Sequence, residues 1–352
     1  MKKRTAGWAL TALAAASLAA GAVSAQVNLT AETANPGGTV YLAPSTLAEV
    51  ASAAGVANIQ LKDGQTLTNS IQNVAEGKTD IAATPYILPF LMSRGVGPYS
   101  KLGKEKGAEL AGNLRALYPY TLGIFFMYAY DAKGLNGWED LKGKKVLNGP
   151  PRGAAAVNSR SIVQIVTGYK ADTDYESVTV NWGQATATVS DGSVDAAVLP
   201  EFFPSGRVTT IGAAGAMTAW AIPKDVYEGE AMQKYLKAPG SAPWEMPVSE
   251  AQKIGENWTI VSDDDVFRGM ATIGGDIVHK DMDEEMAYQL VKLHIDNLDL
   301  IKSKAPFASN AGFGVLDAVK SGMCGANPLK YHPGAVRAWE EAGYDVPECS
   351  KP

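Results

Sequence analysis

Two glycine- and proline-rich loops stand directly before predicted helices, and their residue types suit the binding of a small ligand. One loop is Asn35-Pro36-Gly37-Gly38-Thr39, and the other is Gly149-Pro150-Pro151-Arg152-Gly153. A helix N-terminus offers unpaired backbone N–H groups and a partial positive charge, which favour a carboxylate or another anion. Two such termini facing each other across a cleft would clamp an anion without any catalytic group. The alternative is that both loops are ordinary turns between a strand and a helix.

Arg152 is the strongest single candidate for contact with a ligand. A guanidinium beside a helix N-terminus can form a two-point pair with a carboxylate, sulfonate or phosphonate, although a loop arginine can also be an ordinary surface residue. The other candidates lie at predicted strand ends and helix starts, where side chains would face a cleft. They are Gly38, Thr39, Tyr41, Thr66, Thr68, Tyr86, Gly153, Asn181, Trp182 and Glu201.

Two of these expectations have open alternatives. Trp182, together with Trp220, would form walls of the pocket, but tryptophan is more often a core residue. If Glu201 and the aromatic side chains dominate the site, the ligand is instead a cation held by cation–π contacts.

The sequence contains no recognisable catalytic motif. It lacks the G-x-S-x-G elbow, the P-loop, the H-E-x-x-H helix and the G-x-G-x-x-G turn. His279, His294 and His332 are far apart, and with two cysteines they leave little for a metal or iron–sulfur site. His294 lies in a predicted amphipathic helix and is interpreted as structural. We therefore expect no enzyme activity, no metal and no cofactor, and a secreted hydrolase with an unrecognised site is a less favoured alternative.

The composition is that of a folded protein with a net negative charge. The chain has 352 residues, 37 acidic and 31 basic side chains, and 46% hydrophobic residues. This length favours two domains. A charge of −6 without a lysine- and arginine-rich cluster argues against a nucleic-acid partner. No apolar run outside the N-terminus is long enough for a multi-pass membrane protein.

The first 25 residues have the pattern of a signal peptide. Lys2, Lys3 and Arg4 precede an alanine- and leucine-rich stretch at 6–22, and Val23-Ser24-Ala25 matches a small-residue cleavage site. We expect cleavage near Ala25 and export from the cytoplasm, and a membrane anchor is the alternative. In an oxidising compartment Cys324 and Cys349, the only cysteines, are expected to form a local disulfide worth roughly 3 kcal/mol; a free pair is the alternative.

Short apolar runs alternate with helical segments along the mature chain, which predicts βα units and a mostly parallel sheet. Residues 154–167 are a predicted helix, and residues 283–301 are predicted to form one amphipathic helix. Residues 236–257 are rich in Pro, Gly and Glu and are predicted to be a surface excursion.

The order of these units predicts two α/β lobes. Residues 26–130 and 266–352 would form a discontinuous first lobe, and residues 131–265 would form the second lobe, inserted between its halves. Two lobes connected in this way would close on a ligand by a hinge motion.

An ordered set of short motifs runs through most of the mature chain and is similar to one known family. The motifs are Asn35-Pro36-Gly37-Gly38-Thr39-Val40-Tyr41, Asn69 with Gly77, Asp80 and Ala82, Leu114-Arg115-Ala116-Leu117-Tyr118-Pro119, Asp140-Leu141-Lys142-Gly143-Lys144-Lys145-Val146, Asp191-Gly192-Ser193-Val194-Asp195-Ala196, Tyr331-His332-Pro333-Gly334-Ala335 and Glu341-Ala342-Gly343. The set resembles the TAXI family of solute-binding proteins of TRAP transporters.

The resemblance implies a type II periplasmic-binding-protein fold, with hinge closure on a small organic acid, amino acid or similar anion. It also implies delivery of that solute to the TRAP membrane permease, whereas the binding protein of an ABC importer is the alternative with the same fold. The chain departs from the family at Arg152-Gly153-Ala154, where hydroxyl-bearing residues are usual, and at Thr84-Pro85-Tyr86. The ligand can therefore differ from the amino-acid type.

Overall fold

The computed structural model describes residues 26–151 and 153–352. The predicted signal peptide, residues 1–25, and Arg152 lie outside these described residues. The strands are β1 (Val27–Glu32), β2 (Ala57–Lys62), β3 (Ile81–Pro85), β4 (Leu114–Tyr130), β5 (Lys145–Leu147), β6 (Glu176–Val178), β7 (Ala196–Glu201), β8 (Met217–Trp220), β9 (Ser241–Pro247), β10 (Trp258–Val261), β11 (Val266–His279) and β12 (Lys330–Tyr331). The α-helices are α1 (Thr39–Ala53), α2 (Leu67–Ala75), α3 (Ile87–Arg94), α4 (Gly103–Gly112), α5 (Ala154–Thr167), α6 (Trp182–Ser190), α7 (Gly206–Ala213), α8 (Lys224–Glu228), α9 (Glu230–Leu236), α10 (Val248–Ala251), α11 (Glu284–Asp296), α12 (Leu298–Ser303) and α13 (Pro333–Glu341). Within the described ranges, no helix combines the length and hydropathy needed to cross a bilayer.

The first lobe is built on one part of a mixed sheet. β1 pairs in parallel with β2 and with β3, and β3 pairs antiparallel with β11. β11 pairs antiparallel with the first half of β4, and the short β12 lies in parallel beside β4. The helices α1, α2 and α11 pack against these strands.

The second lobe continues the same sheet. β5 pairs in parallel with β6 and β7, and β7 pairs antiparallel with the second half of β4. β8 pairs antiparallel with the end of β4 and in parallel with β10. β9 pairs antiparallel with the first half of β11. Together with the first part, this confirms the predicted fold of two α/β lobes.

Two long strands, β4 and β11, belong to both lobes. From Ile124 onward β4 pairs with β7 and then β8, and β11 exchanges β9 for β3 between Thr272 and Gly274. At this level the register of the two strands shifts, so that Leu122 has no partner on β11. Gly123 has a φ of +146°, a conformation that favours glycine, and a Cβ there would lie 2.8 Å from Pro200.

The predicted lobe boundaries fall at the outer ends of these strands. β4 ends at Tyr130 and β11 begins at Val266, whereas the pairing partners change in mid-strand. The division into residues 26–130, 131–265 and 266–352 therefore stays a prediction about where the lobes move apart.

The long apolar stretch in β4 is explained by burial on both faces. Ile124, Phe126 and Tyr128 lie in an apolar cluster that extends from the first lobe into the second. Phe125 and Met127 face a second cluster on the opposite side of the sheet. A strand covered on both faces has no polar alternation, which is why it appears as a continuous hydrophobic run.

Several element predictions can now be compared with the structure. The helix at 154–167 is confirmed. The prediction that residues 236–257 form a surface excursion is wrong, because β9 lies within this segment and pairs with β11. The prolines of β9 are tolerated because β9 is an edge strand. The single helix at 283–301 is wrong, because Asn297 separates α11 from α12 and donates its side-chain amide to the Leu293 carbonyl oxygen at 2.8 Å. The sheet is mixed and not mostly parallel, because β11 runs antiparallel to β3, β4 and β9, and β4 runs antiparallel to β7 and β8 as well.

The predicted disulfide is confirmed. Cys324 and Cys349 are joined, with their Cα atoms 5.5 Å apart. The bridge ties the C-terminal segment to the stretch before β12, and the side chain of Lys330 donates a hydrogen bond to the Cys349 carbonyl oxygen.

A buried polar network lies where β11 and β4 pair in the first lobe. Asp276 is fully buried and accepts hydrogen bonds from the hydroxyls of Tyr118 and Tyr120, each at 2.7 Å. The ring of His294 stacks on Tyr118 with centroids 3.7 Å apart. Burial, with a smaller contribution from the charge of Lys302, lowers the pKa of His294 to about 3. These contacts agree with the interpretation of His294 as structural.

Replacement of His294 by phenylalanine should reduce the sensitivity of the fold to acid. Because the pKa of His294 falls from 6.5 to about 3 on folding, the unfolded chain binds one more proton between these pH values, and stability falls as the pH falls. The wild type should lose about 3 kcal/mol more than His294→Phe between pH 7 and pH 4. Urea unfolding across this range measures the difference. Burial also raises the pKa of Asp276 to about 6, but Asp276 is present in both proteins and its contribution cancels in the comparison. If the stability of the two proteins changes equally with pH, the assignment of acid sensitivity to His294 is contradicted.

Candidate functional site

The directions of the strands place the carboxyl edges of two groups of strands opposite each other. β4 runs in the same direction as β1 and β3, because β11 is antiparallel to both β3 and β4. β7 is antiparallel to β4, and its last residue, Glu201, pairs with Ile124. The carboxyl ends of β1 and β3 in one lobe and of β5, β6 and β7 in the other therefore point toward the same crossing. Open α/β sheets bind ligands at such edges.

The first-lobe rim is formed by the start of α1. Gly38 precedes the helix in an extended conformation without a side-chain cap. Thr39 is buried, and its hydroxyl donates a hydrogen bond to the Thr121 carbonyl oxygen at 2.9 Å. This bond ties the helix start to β4 just before the crossing, so Thr39 positions the rim. Tyr41 is half-buried in the first turn.

The remaining first-lobe candidates are not all at the surface. Thr66 is exposed and precedes α2 without a side-chain cap, and the carbonyl oxygen of Thr68 accepts a hydrogen bond from the Tyr99 hydroxyl at 3.0 Å. Tyr86 is fully buried, and its hydroxyl donates to the Tyr118 carbonyl oxygen at 3.1 Å. The structure thus places the Tyr86 side chain in the core and not on the rim.

The second-lobe rim is formed by the starts of α5 and α6. Gly153 precedes α5, and Asn181 precedes α6; neither helix start has a side-chain cap. Asn181 is exposed, whereas Trp182, the first residue of α6, is half-buried. Arg152, the strongest candidate from the sequence, lies outside the described residues, and its role stays a prediction.

Glu201 belongs to a compact group that we call the Arg207 cluster, formed by Tyr128, Trp182, Glu201 and Arg207. Oε1 of Glu201 accepts a hydrogen bond from Nε of Arg207 at 2.7 Å and one from the Tyr128 hydroxyl at 3.0 Å. Nη2 of Arg207 donates to the Pro200 carbonyl oxygen at 3.1 Å. The guanidinium carbon lies 4.9 Å from the centre of the Trp182 ring, within cation–π range.

The charges in this cluster stabilise each other. Burial by itself would lower the pKa of Arg207, but the neighbouring Glu201 carboxylate and Tyr128 outweigh it and raise the pKa. Burial and the Glu201 charge also raise the pKa of Tyr128 well above its ordinary value, so this hydroxyl remains a donor. Arg207 is therefore a permanent cation at the carboxyl end of β7.

The sequence analysis missed Arg207, although a signal was present. Ser205-Gly206-Arg207 follows a predicted strand and begins a helix, as the two candidate loops do. The structure confirms a capped helix start, because Oγ of Ser205 accepts a hydrogen bond from the Val208 N–H at 3.2 Å. The same strand-to-helix criterion that selected Arg152 would have selected Arg207.

The loop that follows β7 touches the first lobe. The rings of Phe202 and Phe307 stack with centroids 5.4 Å apart, and the Asn310 side-chain amide donates to the Phe203 carbonyl oxygen at 2.7 Å. Phe307 and Asn310 belong to the 3₁₀ turn Pro306–Asn310. The Arg207 cluster is consequently next to the place where the two lobes meet.

Other features lie away from this edge. Trp220 is buried, and its indole N–H donates to the Asn136 carbonyl oxygen at 3.0 Å, so it is a core residue. Two surface depressions lie at the amino ends of β5 and β6, away from the carboxyl edge of these strands; one is lined by residues between 134 and 144, and the other by Gly143 and residues 172–176. Among the described residues, no group of three or more His, Cys, Asp or Glu side chains could hold a metal ion.

Comparisons with known proteins agree with this architecture. Residues 31–343 match the profile of a family described as NMT1-like. No curated protein matches the chain. A solved protein from Bordetella bronchiseptica RB50 is 14% identical, with a TM-score of 0.50 over 91% of this chain and 99% of that one.

Two further solved structures match with lower TM-scores. A TRAP periplasmic solute-binding protein from Rhodobacter sphaeroides is 11% identical, with a TM-score of 0.44 over 90% of this chain and 93% of that one. The periplasmic aliphatic sulphonate-binding protein SsuA from Escherichia coli is 15% identical, with a TM-score of 0.37 over 54% of this chain. The chain spans 58% of the length of that sulphonate-binding protein.

Truncation of Glu201 should destabilise the second lobe. Glu201→Ala leaves Arg207, which is 22% exposed, without its carboxylate and leaves the buried Tyr128 hydroxyl without an acceptor. The expected loss is about 3 kcal/mol in the free energy of unfolding, measured with urea. Asp296→Ala, which breaks the exposed pair with Lys292 on α11, is the matched control and should change little. Equal effects of the two substitutions would contradict the role of Glu201.

Proposed function

The chain belongs to the NMT1-like family, and from this premise we propose that it is the solute-binding protein of a membrane transporter. The observation that supports this best is the opposition of two carboxyl strand edges across the crossing of β4 and β11. A solute held by both edges would hold the lobes closed, and its release would let them rotate apart about the crossing. Such a site captures and delivers a molecule without changing it.

The solute is a small anion in this proposal. The helices α1, α2, α5 and α6 all begin at these edges without side-chain caps, so their first N–H groups are available to an acceptor. The sequence places Arg152 beside the start of α5. Partial positive charge from several directions suits a carboxylate, sulfonate or phosphonate better than a cation.

Delivery to a TRAP permease is the favoured form of transport. The ordered motifs that resemble the TAXI family support it, from Asn35 to Gly343. An ABC importer is the second candidate, because its binding proteins have the same two-lobe fold. Uptake of the solute into vesicles containing the membrane partner separates the two, since an ion gradient drives a TRAP transporter and ATP drives an ABC importer.

The periplasm is the proposed location. The N-terminal pattern that ends at Ala25 predicts export, and the disulfide between Cys324 and Cys349 is of a kind that persists in oxidising compartments. A binding protein needs no catalytic residue or cofactor, which is consistent with the lack of recognisable catalytic motifs.

A thermal-shift screen of the mature protein should identify the class of solute. The chain from residue 26 is unfolded and refolded to remove any molecule acquired during expression, and it is then heated with carboxylates, amino acids, sulfonates and phosphonates. A solute at 100 times its dissociation constant should stabilise the fold by about 2.7 kcal/mol, because it binds only the folded state. Calorimetric titration then gives the affinity.

Recovery of the solute provides the control for function. After incubation with the protein, the solute should be recovered chemically unchanged, as measured by mass spectrometry. Conversion of the solute would favour the hydrolase alternative, and stabilisation by amines alone would favour the cationic alternative.

A further inference from the structure

We propose that Arg207 is the anchor for an oxyanion in the cleft, and that Trp182 and Glu201 fix the plane of its guanidinium for this purpose. The inference deepens the proposed solute-binding function and rests on it. It names the recognised chemistry as a small organic oxyanion, whether carboxylate, sulfonate or phosphonate.

The hydrogen bonds of Arg207 leave one end of the guanidinium available. Nε donates to Glu201 and Nη2 donates to the Pro200 carbonyl oxygen, so the protein occupies the edge formed by these two nitrogens. In the part of the chain that the structure describes, Nη1 contacts no acceptor. The end formed by Nη1 and Nη2 can therefore donate two parallel hydrogen bonds to one oxyanion.

The guanidinium is also held rigidly. Its central carbon lies over the Trp182 ring, 4.9 Å from the ring centre, and Oε1 of Glu201 is fixed in turn by the Tyr128 hydroxyl. A cation held on one edge and one face loses little conformational entropy when a ligand binds, which is a preorganised arrangement for recognition. The Arg207 side chain is 22% exposed, whereas that of its partner Glu201 is 1% exposed. The carboxylate is thus enclosed and the arginine is the member of the pair that reaches solvent.

The location suits contact with a solute held between the lobes. Glu201 pairs with Ile124, one residue beyond Gly123, the glycine of positive φ at the crossing. Trp182 is the first residue of α6, so the uncapped start of that helix lies beside the guanidinium. The contact between Phe202 and Phe307 shows that the next residues of the loop reach the first lobe.

Local charge balance also favours an anion. Glu201 and Arg207 compensate each other, and the partial positive charge at the start of α6 adds to the guanidinium on the exposed side. If Arg207 only neutralised Glu201, the free end of its guanidinium would have no function. Replacement of Arg207 would then change the affinity for charged and uncharged ligands equally. This difference separates an anchor from a structural counter-ion.

The test is a double-mutant cycle between Arg207 and the charge of the ligand. The probes are butyrate, butane-1-sulfonate and butylphosphonate, with butyramide as the uncharged analogue and butylamine as the cation. Binding to the wild type and to Glu201→Gln/Arg207→Gln is measured by NMR titration. This double variant removes both charges together, so no unpaired ion remains buried.

An anchor predicts a loss of about a hundredfold or more for the anion that binds best, and a change under about threefold for butyramide. The comparison among the three anions identifies which head group the site prefers. Arg94→Gln is the matched control, because Arg94 also stacks on an aromatic ring, at 5.4 Å from Phe90, but on the exposed end of α3. It should leave all affinities unchanged.

Arg207→Lys keeps the fold testable if the double variant does not fold. A lysine retains a cation opposite Glu201 but cannot present a planar edge, so anion affinity should fall by about tenfold or more with the melting temperature maintained.

Equal losses for anion and amide would overturn the proposal, as would the absence of anion binding to the wild type at millimolar concentration. Binding of butylamine alone would overturn the anchor and leave the solute-binding function standing. Loss of anion binding in Arg152→Ala, with no loss in the Arg207 variants, would assign the anchor to the other loop.

Discussion

The structure depends on two antiparallel strands that pass from one lobe into the other. β4 and β11 pair with each other across the crossing, and on either side of it they pair with different sets of strands. The lobes therefore cannot separate without breaking sheet hydrogen bonds, and in the proposed function they rotate about the level where the register shifts, at Leu122 and Gly123. The same crossing makes the carboxyl edges of both lobes converge, so the proposed hinge and the proposed ligand-binding site both follow from one topological feature.

Each lobe places a buried carboxylate against tyrosines of β4. In the first lobe Asp276 accepts hydrogen bonds from Tyr118 and Tyr120, and in the second lobe Glu201 accepts one from Tyr128. Burial without a cation raises the pKa of Asp276 to about 6, whereas Glu201 is paired with Arg207. The first group is therefore a structural network in the core, whereas the second is a charged pair whose arginine reaches solvent. Both anchor side chains to the strand that the lobes share.

Much of the fold could be predicted from the sequence, because local patterns determine it. The helix at 154–167 and the turn chemistry around Gly38 follow from periodicity and residue type. The edge strand β9 could not be predicted, because its prolines are typical of a loop and only its pairing with β11 identifies it as a strand. The residues of the candidate site were harder to predict from the sequence. Tyr86 and Arg207 both follow a strand, yet Tyr86 is buried in the core and Arg207 is partly exposed at the rim. Only tertiary packing distinguishes them.

In the proposed function the lobes close about β4 and β11 on a bound anion. Small-angle X-ray scattering of the refolded mature protein, with and without the anion that binds best in calorimetry, measures this most directly. We expect the radius of gyration to decrease when the protein is saturated, because the two strand edges approach each other around the solute. An unchanged radius of gyration at full saturation would contradict the account.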